Sequence, residues 1–118
     1  MTRTGKILTL NELDYYITHL KIINTVFPFN MTEKEIFVVA HFLTMKGDIR
    51  EDLFGTTSRK LVRTRCNLTL AGLSNYLNAL QLKRCIIEDE NKKLKLHQLL
   101  NINSEAHEYN LTLQLKTT

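Results

Sequence analysis

Residues 32–43 read TEKEIFVVAHFL, and no other stretch of the chain limits its fold so tightly. Thr32 and Glu35 have the spacing of a capping box, in which a hydroxyl and a carboxylate each satisfy the other residue's backbone N–H. Beyond it, Ile36, Val39, Ala40 and Leu43 form one helical face, while Phe37, Val38 and Phe42 leave little polar surface elsewhere. A helix apolar nearly all round belongs at the centre of a protein, so the rest of the chain must supply a shell around it. His41, inside this run, reads as a hydrogen-bonded packing residue, and Gly47 as the stop that ends the helix.

The shell is legible on both sides. KILTL at 6–10 reads as a short strand. Asn11 offers an N-cap, and Glu12 and Asp14 sit in the first turn, where the helix dipole favours acids. Leu13, Ile17, Leu20 and Ile23 trace an apolar stripe as far as Val26. Phe27-Pro28-Phe29 then ends that helix, because the residue before a proline is pushed out of the helical region. Downstream, Ile49, Leu53 and Phe54 predict a short helix or turn laid on the core. Thr56-Thr57-Ser58 is expected to cap a helix running to Cys66, with Leu61 and Val62 inward and Asn67 closing it in the left-handed conformation. In LTLAGLSNYLNALQLKR, residues 68–84, Thr69 is placed to cap a further helix and Leu73, Leu77 and Leu80 recur on its inner face. Cys85-Ile86-Ile87, the polar run EDENKK and Leu94-Lys95-Leu96 predict a hairpin. In YNLTLQLK, Tyr109, Leu111, Leu113 and Leu115 alternate as a last strand. The expected protein is mainly α with a small β component, a single domain over 1–118.

Composition narrows the function. With 43% hydrophobic residues, one proline and four glycines, the chain has the means to build a core. No apolar run approaches the roughly 18–20 residues of a membrane span. The first ten residues lack the apolar segment of a secretory signal, so a cytoplasmic protein is expected. Cys66 and Cys85 form no CxxC and read as core-facing thiols in a reducing compartment, while His19, His41, His97 and His107 are scattered; no metal site is expected. There is no glycine-rich phosphate loop, HExxH or GxSxG, so neither catalysis nor a cofactor is expected. Glu33 and Glu35 are accounted for by capping, and Glu88 to Glu90 by a turn.

Helix, short element, helix, tight turn, helix and hairpin is the order of a winged helix. The run Leu80-Gln81-Leu82-Lys83-Arg84-Cys85-Ile86-Ile87 resembles the point where the third helix of that family leads into its first wing strand, with Arg84 standing where glycine is usual. The resemblance covers about residues 31–97, a winged helix-turn-helix core, leaving 1–30 and 98–118 as accessory elements with short N- and C-terminal strands. More narrowly, MTEKEIFVVAHFL, TTSRKLVRTRCNLTLAGLSNYLNAL and EYNLTLQL are similar to small winged-helix proteins encoded by tailed bacteriophages. That likeness implies a fold; the helix order, with the acid-free basic window between Asp52 and Glu88, points to a factor that binds double-stranded DNA and regulates transcription in the host cytoplasm. The alternative it leaves open is a structural protein that uses the fold for packing in a virion or another assembly.

The charge pattern bears on this choice. Between Asp52 and Glu88 there is no acid, while Arg59, Lys60, Arg63, Arg65, Lys83 and Arg84 hold six of the sixteen basic residues; the remainder of the chain has ten bases against twelve acids. The excess that gives a net charge of +4 thus belongs to one segment, a pattern suited to a polyanion. On the outward side of the 69–83 helix, Ser74, Asn75 and Asn78 are candidate base contacts, since asparagine can pair bidentately with adenine. Thr57, Ser58, Arg59, Lys60, Arg63 and Lys83 are candidate phosphate contacts, joined by Lys92 and Lys93 on the wing. Each asparagine has an equally plain explanation as a solubilising residue, and the wing leads with Glu88, Asp89 and Glu90. The terminal strands either pair with each other or add to a neighbour's sheet, which would make them the route to a homo-oligomer or an assembly partner. Neither a membrane nor a small-molecule substrate is expected.

Overall fold

The computed structural model describes residues 12–102. The expected strands at 6–10 and 109–115, the Asn11 cap and His107 lie outside the described residues.

Five helices and one hairpin follow in the order the sequence predicts. Helix α1, Glu12–Val26, carries Glu12 and Asp14 in its first turn. Its inward face is turned from the expected stripe: Tyr16, His19, Leu20 and Ile23 are buried, Leu13 and Ile17 sit at the margin, and Val26 is 67% exposed. A tyrosine ring buries as much apolar surface as an aliphatic side chain, and Tyr16 four residues before Leu20 sets the face. The Phe27 amide donates to Ile23 O at 2.8 Å before Pro28 breaks the pattern. The loop that follows is pinned by Asn24, whose Oδ1 accepts the Met31 amide at 2.8 Å while its Nδ2 donates to Met31 O at 3.1 Å.

Helix α2, Glu33–Leu43, begins in the expected capping box: Thr32 Oγ1 accepts from the Glu35 amide at 3.1 Å, and the Thr32 amide donates to Glu35 Oε1 at 2.9 Å. It is the central helix, packed by α1 on one side and by the fourth and fifth helices on others. Two details depart from expectation. The helix stops at Thr44, whose hydroxyl turns back to His41 O at 2.6 Å. Gly47, at φ +63°, is instead the entry to the next turn of helix. His41 is buried, but its Nε2 has no hydrogen-bond partner among the described residues; its contact is edge-on to the Phe37 ring, centroids 4.6 Å apart.

The single turn α3, Asp48–Glu51, and the Leu53-Phe54 pair behind it lie on the core as expected. From this turn Arg50 donates to Leu43 O at 2.7 Å, Asn101 Oδ1 at 3.0 Å and Ile102 O at 2.5 Å. One guanidinium thus satisfies an orphan carbonyl at the end of α2 and ties down the 101–102 segment.

Helix α4, Thr56–Cys66, is capped differently from the sequence expectation. Gly55 is the N-cap and makes no side-chain bond, while Ser58 and Val62 face inward. A Cβ at Gly55 would stand 2.2 Å from Asp52 Oδ2 and 3.1 Å from Asp52 O, so the exposed Asp52 side chain would have to swing away to admit one. Asn67 closes α4 at φ +55°, as predicted. Helix α5, Leu70–Leu82, opens with Thr69 Oγ1 accepting the Gly72 amide at 2.9 Å, and buries Leu73, Leu77 and Leu80. At its end Cys85 N donates to Leu80 O at 2.9 Å and Arg84 N to Gln81 O at 3.0 Å, the paired bonds of a Schellman motif with Arg84 at φ +66°.

Strands β1, Ile86–Glu88, and β2, Leu94–Leu96, pair antiparallel, with Ile86 opposite Leu96 and Glu88 opposite Leu94. Buried chain continues past residue 97, because Leu100 and Ile102 belong to the same core as Leu20, Val39, Phe42 and Val62. No helix among the described residues is long and apolar enough to cross a membrane.

Candidate nucleic-acid interface

Burying three leucines fixes what α5 offers outward. Ala71, Asn75, Asn78 and Leu82 recur on one exposed stripe, Leu82 at 86%, with Ser74 and Gln81 half-buried beside it. Asn75 and Asn78 are therefore open to an outside partner, Ser74 is partly so, and no charge lies on the stripe.

Helix α4 is the charged neighbour. Arg59, Lys60, Arg63 and Arg65 share eleven residues with no acid, and none of the four has an ion-pair partner among the described residues. Arg65 donates to Thr44 Oγ1 at 3.1 Å, a neutral acceptor. The Nε atoms of Arg59 and Arg63, one helical turn apart, are buried and likewise lack an acceptor among the described residues. Thr57 and Lys60 are exposed.

Other candidates are placed less favourably. Ser58 is 1% exposed with its hydroxyl inside the fold, so it is no surface phosphate ligand; the third residue of α4 falls on the face that packs against the core. Lys83 is also committed elsewhere. Its Nζ lies 2.6 Å from Glu35 Oε1, and a carboxylate at that range neutralises it. Glu35 therefore does more than cap α2: it holds a second partner 48 residues away, a pairing no local pattern signals.

In the β1–β2 turn, the acids shape the chain. Asp89 Oδ1 accepts from the amides of Asn91 at 2.8 Å and Lys93 at 2.9 Å. The Lys93 amide, then the Asn91 amide and the nearby Lys95 ammonium, hold the Asp89 carboxyl below its usual range. Lys93 reaches back to Asp52 Oδ1 at 3.6 Å, an exposed pair worth little. Lys92, at φ +64°, donates its amide to Asp89 O at 3.0 Å, and its exposed side chain has no partner among the described residues. The cations available to a polyanion are thus Arg59, Lys60, Arg63 and Lys92, with Arg65 beside them.

The described residues hold no group of three His, Cys, Asp or Glu side chains able to take a metal ion. Both cysteines are free thiols: Cys85 is buried as expected, and Cys66 is only half-buried. Comparison with protein-family models, curated proteins and solved structures gives no match to this chain.

Proposed function

We propose that this protein is a winged-helix factor that binds duplex DNA, with α5 in the major groove and α4 against the phosphate backbone, of the kind tailed phages use to regulate transcription. One observation carries the reading: a helix with four cations and no acidic partner stands next to a helix whose exposed stripe presents two asparagines and no charge. Phosphate contacts from Arg59, Lys60, Arg63 and Thr57 supply affinity and register, and Asn75 and Asn78 read adenine edges. Lys92 adds a wing contact. In this reading the site of action is the host cytoplasm.

Fluorescence anisotropy with a labelled duplex tests it. The association constant falls steeply with salt, with a log–log slope of about −0.9 for each phosphate neutralised. Changing Lys60 and Arg63 together to Ala lowers that slope by about 2, while N75A/N78A lowers discrimination between sequences and spares the slope. Weak binding at low salt with no salt dependence refutes the proposal.

A second reading is favoured by exposed apolar side chains at the two ends of α5. Leu70 is 64% exposed and Leu82 86%, and such side chains on a helix without charge also suit packing against another protein in a virion or other assembly. Light scattering coupled to size exclusion separates the readings. The DNA-binding reading permits a monomer whose mass is unchanged by L70S/L82S, whereas the assembly reading requires an oligomer that this double substitution dissolves.

A further inference from the structure

A groove of about 580 Å³ opens on a different part of the molecule, between the α1–α2 loop, the end of α5, β1 and the chain after β2. Phe27, Pro28, Ile87 and Leu99 form its apolar wall and all remain exposed to water. A volume of this size falls within the roughly 300–1,000 Å³ typical of small-molecule sites.

Its polar groups are all donors. The Arg84 guanidinium has no partner among the described residues, and the Schellman turn fixes the backbone that carries it. His97 packs edge-on against Phe29 at 5.1 Å, and its Nδ1 accepts the Leu99 amide at 3.1 Å. An accepting Nδ1 leaves the ring hydrogen on Nε2, so the free position of the imidazole is a donor. Lys83 also borders the groove, but its charge is met by Glu35. No carboxylate of the described residues lines the groove. An apolar wall with one unmatched cation and one imidazole N–H is complementary to a molecule with an apolar body and a single acceptor-only anionic head. A carboxylate presents two oxygens to the guanidinium fork, which makes the match bidentate.

We propose that this groove is a binding site for a small apolar carboxylic acid, held by Arg84 and His97 at its head and by Phe27, Ile87 and Leu99 along its chain. None of these residues belongs to the α4–α5 face, so the proposal neither needs DNA binding nor fails with it.

The test is an NMR titration of the full chain with decanoate below its micellar concentration, run in parallel with decan-1-ol. Expected are amide shifts centred on Arg84, Ile87 and Leu99, and binding of the acid about tenfold tighter than that of the alcohol, as a charge-assisted pair should give. R84Q removes the charge and keeps a shorter, polar side chain on the same backbone. It should bring the acid to the affinity of the alcohol while leaving alcohol binding and the urea midpoint unchanged. Equal binding of acid and alcohol by the unmodified protein, no binding of either, or shifts centred elsewhere would overturn the proposal.

Discussion

Lys83 Nζ lies 2.6 Å from Glu35 Oε1, and the same oxygen accepts the Thr32 amide at 2.9 Å. A carboxylate only 5% exposed therefore closes the start of α2 and holds the end of α5 at once. Removing the lysine leaves that buried charge with a single backbone donor. K83M is expected to cost about 1–3 kcal/mol, less than a fully buried pair because the Lys83 side chain retains 28% exposure. E35Q/K83M, which removes both charges and keeps an acceptor for Thr32, should recover most of that loss, giving a favourable coupling in a double-mutant cycle from urea unfolding. Because Lys83 is already neutralised, K83M should also leave the salt slope of DNA binding unchanged.

Arg84 makes a second test of the same corner. A non-glycine residue at φ +66° bears a steric cost of about 1–2 kcal/mol, and glycine gives part of that back as unfolded-chain entropy, roughly 0.4–1 kcal/mol. R84G should raise the unfolding free energy by up to about 1 kcal/mol, and R84V should lower it by more than that, since β-branching is least compatible with this region. Both are read from thermal unfolding followed by circular dichroism.

How far the sequence foretold the molecule depends on whether each signal was local. The Thr32–Glu35 box, the Thr69 cap, the left-handed Asn67 and the inward Leu73, Leu77 and Leu80 are set within one or two helical turns, and each was readable. What escaped needed partners distant in the chain. Lys83 looked like a phosphate ligand until Glu35 came to meet it, and Arg50 gave no hint that it would bind three acceptors on two segments. Ser58 misled because Thr56-Thr57-Ser58 resembles a cap, whereas Gly55 takes the N-cap, the helix starts one residue earlier, and the serine falls on the inward face. Gly47 misled in the same way, by serving the element after it. For the candidate interface, the exposed asparagines and the acid-free basic helix were both visible in the sequence. The groove is assembled from the α1–α2 loop, the end of α5, β1 and the chain after β2, segments distant in sequence, and had no local signal.

The thiols should be separable by reactivity. Burial, with Glu35 nearby and only partly opposed by Lys83, pushes the Cys85 thiol up to about 11. Burial also raises the half-buried Cys66, with Arg65 acting the other way. The thiolate is the reactive form, so iodoacetamide at mildly alkaline pH should modify Cys66 in the folded protein and spare Cys85 until denaturant is added. Peptide mass mapping reads the order; labelling of Cys85 first or at an equal rate would contradict the buried placement at the end of α5.

His41 should set the acid limb of stability. Burial, assisted by the nearby Arg65 guanidinium, holds its imidazole below the ordinary value of 6.5. The unfolded chain therefore takes up this proton at a higher pH than the folded one. The neutral ring's contribution is complete above the unfolded value and is lost as pH falls below 6.5 toward the folded value. The decline from this one proton should be no steeper than about 1.4 kcal/mol per pH unit. Urea midpoints measured from about pH 7.5 down to about pH 5 should fall for the unmodified protein and fall less for H41L. That variant fills a similar space beside Phe37 without a titrating group and removes the Nε2 that lacks a partner among the described residues, so its midpoint at neutral pH should be no lower than that of the parent. A parallel decline in both proteins would mean that the acid sensitivity comes from other groups.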